Sequence, residues 1–289
     1  MTTSNPKIEN TSYHTPEFLA RYYIAEKLTG PFAGPLIKHS GIAERSHSGP
    51  RMIFDNACGL GIVSSTLNRM LDDTTKSRWS LTCGDLTETM IDSTRQRIDQ
   101  EKWPNAEAKV VNAQSTGLPD ESFTDIFAAF AFTLFPDAQA AMNESYRILK
   151  PDGALAISTW KNPTWISLLR SAILGMSADL SFPTTEEFLA MHNEGWDAES
   201  FVKTEFEKAG FKEVKVTTVT EQVQIPISPF LELSRSMLDL VIEKSWTQDQ
   251  RKQYGAEAPG ALQRFLEERF GVDGLITMEP SAVLALGTK

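Results

Sequence analysis

From residue 51 onwards, short apolar stretches alternate with longer segments whose apolar side chains recur at helical spacing. Residues 52–54, for example, precede a loop of small residues and then Val63, Leu67 and Leu71 on one helical face. Such alternation favours right-handed crossovers and a parallel sheet covered on both faces. The strands predicted in this way are residues 52–54, 79–83, 108–111, 126–130 and 154–158. The predicted fold class is α/β, with a doubly wound, mostly parallel sheet.

The chain on either side of these strands has other patterns. Residues 16–38 predict an N-terminal helical region, and residues 213–219 alternate as a sixth strand that could extend to residue 225. Residues 276–286 supply a seventh strand, and the helical stretch before it is an insertion of the kind that forms pocket walls. The predicted division is a helical lid over residues 1–50, a core over residues 51–227, a helical cap over residues 228–274 and a last core strand over residues 275–289.

Charge and composition narrow the class of partner. The chain has 28 Lys and Arg against 38 Asp and Glu, a net charge of −10. Since an acidic chain without a basic cluster repels a phosphate backbone, we expect no nucleic-acid partner. The cysteines and histidines lack the spacing of a metal site, and the sequence has neither a signal-peptide pattern nor the roughly 18 apolar residues of a membrane span. We therefore expect a metal-free, cytoplasmic protein. These patterns leave its oligomeric state open, and a monomer is the expectation.

The most informative segment is the loop after the first strand, residues 55–61 (DNACGLG). Small residues let the backbone turn sharply and approach a ligand, and the following helix begins with unpaired N–H groups. Asp85, after the second strand, could accept hydrogen bonds from both hydroxyls of a ribose. Asn112, Ala113 and Gln114 follow the third strand and could contact an adenine edge. Taken singly, the loop also fits a tight turn and Asp85 a helix dipole.

Taken in order, these blocks resemble the class I S-adenosylmethionine (SAM) dependent methyltransferases. The resemblance rests on the residue 55–61 loop, on Asp85, on residues 112–123 and on residues 146–153, and it covers residues 51–160. It implies a Rossmann-like fold with a seven-stranded sheet. It also implies SAM as cofactor and S-adenosylhomocysteine as product.

Shorter features resemble particular groups of these enzymes. Residues 123–127 and 135–137 are similar to the UbiE-like small-molecule methyltransferases of fungal secondary metabolism. The chain length and residues 18–34 are similar to the gliotoxin-type dithiol S-methyltransferases.

The resemblance implies a set of site residues but no catalytic residue. The expected cofactor-binding residues are Tyr22, Asp55, Asn56, Ala57, Gly59, Gly61, Asp85, Leu86, Met90, Asn112, Ala113, Gln114 and Phe130. The expected substrate-binding residues are Phe18, Phe132, Thr133, Trp160 and Trp165. Aromatic faces suit the positive charge of a sulfonium, and Tyr22, Phe130 and Trp160 are the candidates for that contact.

Three positions depart from the family pattern. Ala57 replaces a glycine, and we expect a negative φ there, which alanine tolerates. Asn112 replaces an acid, but its side-chain oxygen can still accept a hydrogen bond from an adenine amino group. A histidine often found after the fourth strand is absent, because residues 132–135 are Phe-Thr-Leu-Phe. No family histidine can therefore be assigned as a base.

The lack of a base bears on the acceptor. A thiol of pKa about 8.5 is partly ionised at neutral pH, whereas an alcohol needs a placed base. The sequence therefore favours methylation of a thiol or dithiol. The alternatives are an O- or N-methyltransferase with His14 or His192 as base, and a non-catalytic SAM-fold protein. A nicotinamide-dependent oxidoreductase is disfavoured, since Ser64 stands where its third glycine belongs.

The predicted lid and cap are rich in aromatic side chains, which favours an apolar or aromatic substrate. These residues are Phe18, Tyr22, Tyr23, Phe32, Trp165, Phe182, Trp196 and Phe230.

Overall fold

The computed structural model describes residues 16–45 and 49–289 and contains a seven-stranded sheet of order β3-β2-β1-β4-β5-β9-β6. Its strands are β1 (Arg51–Asn56), β2 (Trp79–Asp85), β3 (Ala106–Val110), β4 (Phe123–Ala129), β5 (Leu149–Asn162), β6 (Lys212–Thr220) and β9 (Ser281–Thr288). The first five strands are parallel, and β9 runs antiparallel between β5 and β6. The α/β, mostly parallel fold is confirmed.

Helices cover both faces of the sheet and build a cap. They are α1 (Pro16–Thr29), α2 (Ala33–Ser40), α3 (Ile62–Met70), α4 (Asp73–Ser77), α5 (Glu88–Glu101), α6 (Ala138–Ile148), α7 (Trp165–Leu174), α8 (Thr185–His192), α9 (Glu199–Lys208), α10 (Ile227–Ser245), α11 (Gln248–Tyr254) and α12 (Ala258–Phe270). Two buried apolar clusters lie on the two faces of the sheet, and a third lies within the cap. Every crossover between parallel strands contains at least one helix except the one from β3 to β4.

The C-terminal strand prediction was wrong in one respect. Residues 276–286 do not form one strand: β8 (Leu275–Met278) ends before Pro280, and β9 begins after it. Proline has no N–H to donate to a ladder, so it separates the two strands. β8 instead pairs antiparallel with β7 (Val223–Pro226), so neither the sixth nor the seventh strand of the main sheet extends as far as expected.

The cap is larger than the predicted insertion. Its buried cluster joins side chains of α10 and α12 to those of α7, β7 and β8, and Leu28 of α1 also belongs to it. The N-terminal helix thus has one side anchored in the cap. Because residues 165–174 and 275–278 pack here, the cap is not limited to residues 228–274.

The order of the sheet determines where a ligand can bind. The chain proceeds outward from β1 through β2 to β3, and then returns to the other side of β1 to form β4. At such a reversal the loops leave the carboxyl ends of the two strands in opposite directions, which opens a crevice. The loop after β1, Asp85 at the end of β2 and Phe130 after β4 all lie at this edge.

A buried carboxylate ties the segment before β1 to the sheet. Asp125 of β4 is 1% exposed; it pairs with Arg45 and with Arg51, whose Nη1 lies 3.1 Å from Oδ2. Thr124 Oγ1 donates to the same carboxylate at 2.7 Å. Two cations and one hydroxyl thus share the Asp125 carboxylate as their partner.

We expect Asp125→Asn to lower the free energy of unfolding by about 2 kcal/mol, because it leaves the two arginines without their charged acceptor. Urea unfolding of the purified variant measures the change. Asp120→Asn is the matched control, since the Asp120 side chain is 74% exposed and its partner Arg147 also pairs with Glu144. Equal losses in the two variants would contradict this account.

Candidate active site

The loop after β1 makes a left-handed turn. Ala57, Gly59 and Gly61 have φ of 55°, 54° and 78°. The expectation of a negative φ at Ala57 was therefore wrong, and the alanine adopts the left-handed region at a cost of about 1–2 kcal/mol. At Gly61, a Cβ would lie 3.1 Å from the ring of Trp103 and 3.2 Å from the methyl group of Thr94, so a side chain there would crowd these two neighbours as well as adopt a positive φ.

Asp55 holds the helix that follows the loop. It is 1% exposed, and its Oδ2 accepts hydrogen bonds from the backbone N–H and the hydroxyl of Ser64, at 3.1 and 2.7 Å. The first of these bonds satisfies one of the unpaired N–H groups in the first turn of α3. Burial raises the pKa of Asp55 to about 6, although the bonds from Ser64 act in the opposite direction. The structure thus places Asp55 at the base of the loop.

Asp85 closes the loop from the neighbouring strand. Its Oδ2 accepts the N–H of Gly59 at 2.9 Å, and its Oδ1 accepts the N–H of Thr87 at 3.0 Å. A carboxylate has about four acceptor sites, so both oxygens can take a further hydrogen bond. Burial raises the pKa of Asp85, and the bonds from Gly59 and Thr87 partly offset this rise. The geometry suits an acceptor for paired hydroxyls.

Tyr22 of α1 lies directly on the loop. A Cβ at Gly59 would overlap the Tyr22 hydroxyl, so only glycine allows α1 to approach this closely. Burial, followed by the nearby charge of Asp85, raises the pKa of the phenol. The Tyr22 phenol is therefore protonated at neutral pH.

The remaining cofactor candidates surround the same edge. Asn112 Oδ1 accepts the N–H of Gln114 at 3.0 Å, and Gln114 Oε1 accepts the N–H of Asp137 at 2.8 Å, so both side chains order the chain after β3. Ala113 is buried in the apolar cluster on that face. Met90 is buried, and Leu86, which follows Asp85 in the chain, is 52% exposed.

Asn56 has an unusual environment. It is 1% exposed, and neither its side-chain oxygen nor its nitrogen has a hydrogen-bond partner among the described residues. A buried unpaired amide costs free energy, so such a group fits a position that meets a further polar partner. This observation and the acceptor capacity of Asp85 fit a bound polar cofactor at the loop.

An aromatic group lies at the carboxyl ends of β4 and β5. The ring centroids of Phe130 and Trp160 are 4.2 Å apart in a stacked pair, Phe32 lies 5.5 Å from both, and Trp165 lies 4.7 Å from Trp160. These four residues are called the aromatic group below. It carries no ionisable side chain.

Backbone strain directs Phe130 into the aromatic group. Along β4, Phe127 packs on one face of the sheet and Ala128 on the other. Continued alternation would send Phe130 to the face of Ala128. Its φ of 54° turns it instead to the face of Phe127, beside Phe32. Such strain in a bulky residue is typical of functional sites.

The structure does not bring all predicted substrate residues together. Phe132 is 1% exposed and packs against Phe135 and Trp196 on the other face of the sheet, so it lies away from the aromatic group. Thr133 is half-buried after Phe132. Phe18 lies in α1, but its side chain is outside the described part of the chain.

The aromatic residues predicted for the lid and the cap also lie in different environments. Phe182 and Phe230 are buried in the cap cluster, and Tyr23 is 47% exposed. Of the two histidines considered as bases, His14 lies outside the described residues. His192 stacks on Phe188, with its Nδ1 2.9 Å from the Phe188 carbonyl, at the end of α8.

Several residues of this site escaped sequence reasoning. Thr94 Oγ1 donates to the Gly59 carbonyl at 2.9 Å, and Arg97 Nη1 donates to the Leu60 carbonyl at 2.9 Å. Both lie on α5, and their spacing matches an ordinary helix face. The Thr164 hydroxyl, next to Trp165, is buried without a described partner. A hydrogen bond with Cys83, together with burial, raises the pKa of Cys58 and so favours its neutral thiol form.

The sequence comparisons agree with this geometry. Residues 54–157 match the family described as a methyltransferase domain. The chain is 48% identical to methyltransferase tpcH of Aspergillus fumigatus, over 96% of this chain and 98% of that protein. It is also 42% identical to the acetylaranotin bis-thiomethyltransferase of Aspergillus terreus, over 94% of each.

The chain belongs to the fungal class I SAM-dependent methyltransferases. A phosphoethanolamine N-methyltransferase of Haemonchus contortus, solved with S-adenosylhomocysteine, has the same fold at a TM-score of 0.55 and 14% identity; the match covers 97% of this chain and 58% of that one. This methyltransferase is thus an enzyme of secondary metabolism that uses SAM. Within the described residues, no helix is long and apolar enough to cross a membrane. The cytoplasmic location and monomeric state stay predictions.

We expect Asp85→Ala to weaken SAM binding by roughly ten- to a hundredfold, because it removes the charge-assisted acceptors predicted for the ribose and releases the Gly59 N–H. Isothermal titration measures the affinity. Asp92→Asn, a change at an exposed carboxylate on α5, is the control and should bind normally. Unchanged affinity in Asp85→Ala would remove this residue from the cofactor site.

Asp55→Asn should change how stability depends on pH. Because the folded-state pKa of Asp55 is raised to about 6, ionising it in the folded chain costs free energy, and the wild-type protein loses stability as pH rises from about 4 through 6. The variant lacks this loss, so its stability relative to wild type should improve by on the order of 2 kcal/mol between pH 4 and pH 7. Denaturant unfolding of the cofactor-free wild-type and variant proteins at pH 4 and pH 7 measures the free energies of unfolding. A difference independent of pH would contradict the assignment.

Proposed function

We propose that this methyltransferase transfers the methyl group of SAM to the sulfur of a small-molecule thiol or dithiol. The observation that carries the proposal is the aromatic group. It supplies apolar faces at the carboxyl ends of β4 and β5, and none of its members can take a proton from an acceptor.

The ionisable side chains considered for this site do not replace a base. Tyr22 is held protonated by its burial, and the carboxylates of Asp55 and Asp85 are engaged with the loop. His192 lies at the end of α8 against Phe188. Within the described residues, deprotonation of the acceptor therefore depends on the acceptor itself, which suits a thiol.

The reaction needs little from the protein beyond placement. SAM supplies a methyl group already activated on a sulfonium. The thiol first loses its proton to solvent; the thiolate electron pair then forms the new sulfur–carbon bond while the bond from carbon to the sulfonium breaks. The chain positions the two reactants and excludes water from the apolar side. Phe130 and Trp160 offer π faces to the positive charge that is lost in this step.

We assign the cofactor side of the proposal to the loop residues Asp55 to Gly61, to Asp85 and to Tyr22. Asn112 to Gln114, with Leu86 and Met90, would border the adenine. The acceptor side would be bordered by Trp160, Trp165 and Phe32. The name of the Aspergillus terreus relative, a bis-thiomethyltransferase, supports the choice of sulfur over oxygen or nitrogen.

The rate of methyl transfer should follow the ionisation of the acceptor. With a series of dithiols, we expect kcat/KM to rise tenfold per pH unit up to the thiol pKa of each compound. The release of S-adenosylhomocysteine measures the rate. The His192→Ala variant should keep the wild-type profile.

An inflection that stays at one pH for every acceptor would belong to the enzyme and contradict the proposal. So would loss of a thousandfold in rate on removal of one polar side chain that leaves SAM affinity intact, because that size is expected for a general base.

A further inference from the structure

An ion pair connects α1 to α5. Arg97 Nη2 lies 2.7 Å from Glu26 Oε1, and Nη1 lies 3.0 Å from Oε2, so the guanidinium and the carboxylate form two parallel hydrogen bonds. The two side chains are 20% and 14% exposed. A bidentate, partly buried pair of this kind is stronger and more directional than a surface pair.

The same guanidinium also holds the cofactor loop. Arg97 Nη1 donates to the carbonyl of Leu60 at 2.9 Å. One side chain thus binds the N-terminal helix and the loop that follows β1. Lysine could not make this set of contacts, because the planar fork of arginine supplies the paired donors.

Tyr22 makes the matching contact one helical turn earlier. Residues 22 and 26 lie on the same face of α1, four positions apart. The Tyr22 hydroxyl sits on Gly59, and Glu26 reaches Leu60 through Arg97. Two neighbouring residues of the loop are therefore covered by one face of α1. The other side of the helix is fixed in the cap through Leu28.

We propose that Arg97 is a positioning residue for the cofactor: with Glu26 it keeps α1 closed over the loop, and the cofactor enters and leaves when this ion pair opens. The inference rests on the proposed placement of SAM at residues 55–61. It assigns to Arg97 a role in retention of the cofactor and not in the methyl-transfer step.

An ion pair that merely stabilised the fold would behave differently. Its loss would lower the melting temperature of the cofactor-free protein and leave the rate of cofactor release unchanged. An ion pair that acts as a latch, holding α1 closed over the loop, affects the rate of cofactor release and the KM for SAM. Methyl transfer within the closed complex is preserved when it is lost.

The test is a double-mutant cycle with Glu26→Gln, Arg97→Gln and the double variant. Stopped-flow displacement of S-adenosylhomocysteine, followed by tryptophan fluorescence without acceptor, gives the release rate. We expect the release rate to increase roughly tenfold in Glu26→Gln. The increase should be larger in Arg97→Gln, which also loses the hydrogen bond to the Leu60 carbonyl. The double variant should release no faster than Arg97→Gln, since both changes break one interaction.

Arg95→Gln is the matched control. Arg95 lies on the same helix and pairs with Glu88 and Asp92, but its side chain is 47% exposed, so release should stay at the wild-type rate. Single-turnover methyl transfer at saturating SAM should stay within about threefold of wild type in Glu26→Gln. Melting of the cofactor-free variants confirms that they are folded.

Release rates equal to wild type, or single effects that multiply in the double variant, would overturn the latch. Because cofactor release is measured without acceptor, the release rates still test the latch if the acceptor is not a thiol. Conversely, methylation of a thiol by variants with unchanged release would reject the latch alone.

Discussion

The hydrogen bond from the Gly59 N–H to Asp85 joins the ends of β1 and β2, and the rest of the site is arranged around it. It holds a left-handed turn in which even Ala57 adopts a positive φ. Asp55 fixes the other end of the turn by accepting hydrogen bonds from the backbone N–H and the hydroxyl of Ser64 in the first turn of α3. Burial raises the pKa of both carboxylates, so the loop carries negative charge in a poorly solvated place. A ligand that brings hydroxyls and positive charge relieves this cost and gains affinity from it.

The polar part and the aromatic part of the site differ in chemistry because different strands contribute their residues. β1 and β2 contribute carboxylates and backbone amides, whereas β4 and β5 contribute the rings of Phe130 and Trp160. The strained backbone at Phe130 keeps its ring on the same side of the sheet as α2 and α3. The polar and the apolar parts of the site meet where β1 pairs with β4, and under the proposed function this neighbourhood suits direct transfer of a methyl group.

The fold was predictable because its parallel strands are buried on both faces and appear as compact apolar stretches. The loop and Asp85 were predictable because their residue types recur at fixed places along a strand–loop–helix unit. The break at Pro280 was visible in the sequence, but the pairing of β8 with β7 depends on contacts within the cap. Ala57 shows the same limit, since its φ is imposed by the turn and not by the alanine.

Contacts between distant segments had no periodic signal. Phe132 follows the same strand as Phe130, yet one residue with positive φ sends the two rings to opposite faces of the sheet. Glu26 and Arg97 are each ordinary members of a helix, and their pairing appears only when α1 lies on the loop. Such residues are identified by their positions in space, and the pattern of residues along the chain does not predict those positions.

The identity of the acceptor atom is tested most directly with a compound that carries one thiol and one phenol on the same ring. The enzyme, SAM and this compound would be incubated near neutral pH, and the methylated product identified by mass spectrometry and NMR. An enzyme with an apolar acceptor side and no base should form the S-methyl product. Predominant O-methylation would show that a base acts at the acceptor and would contradict the account.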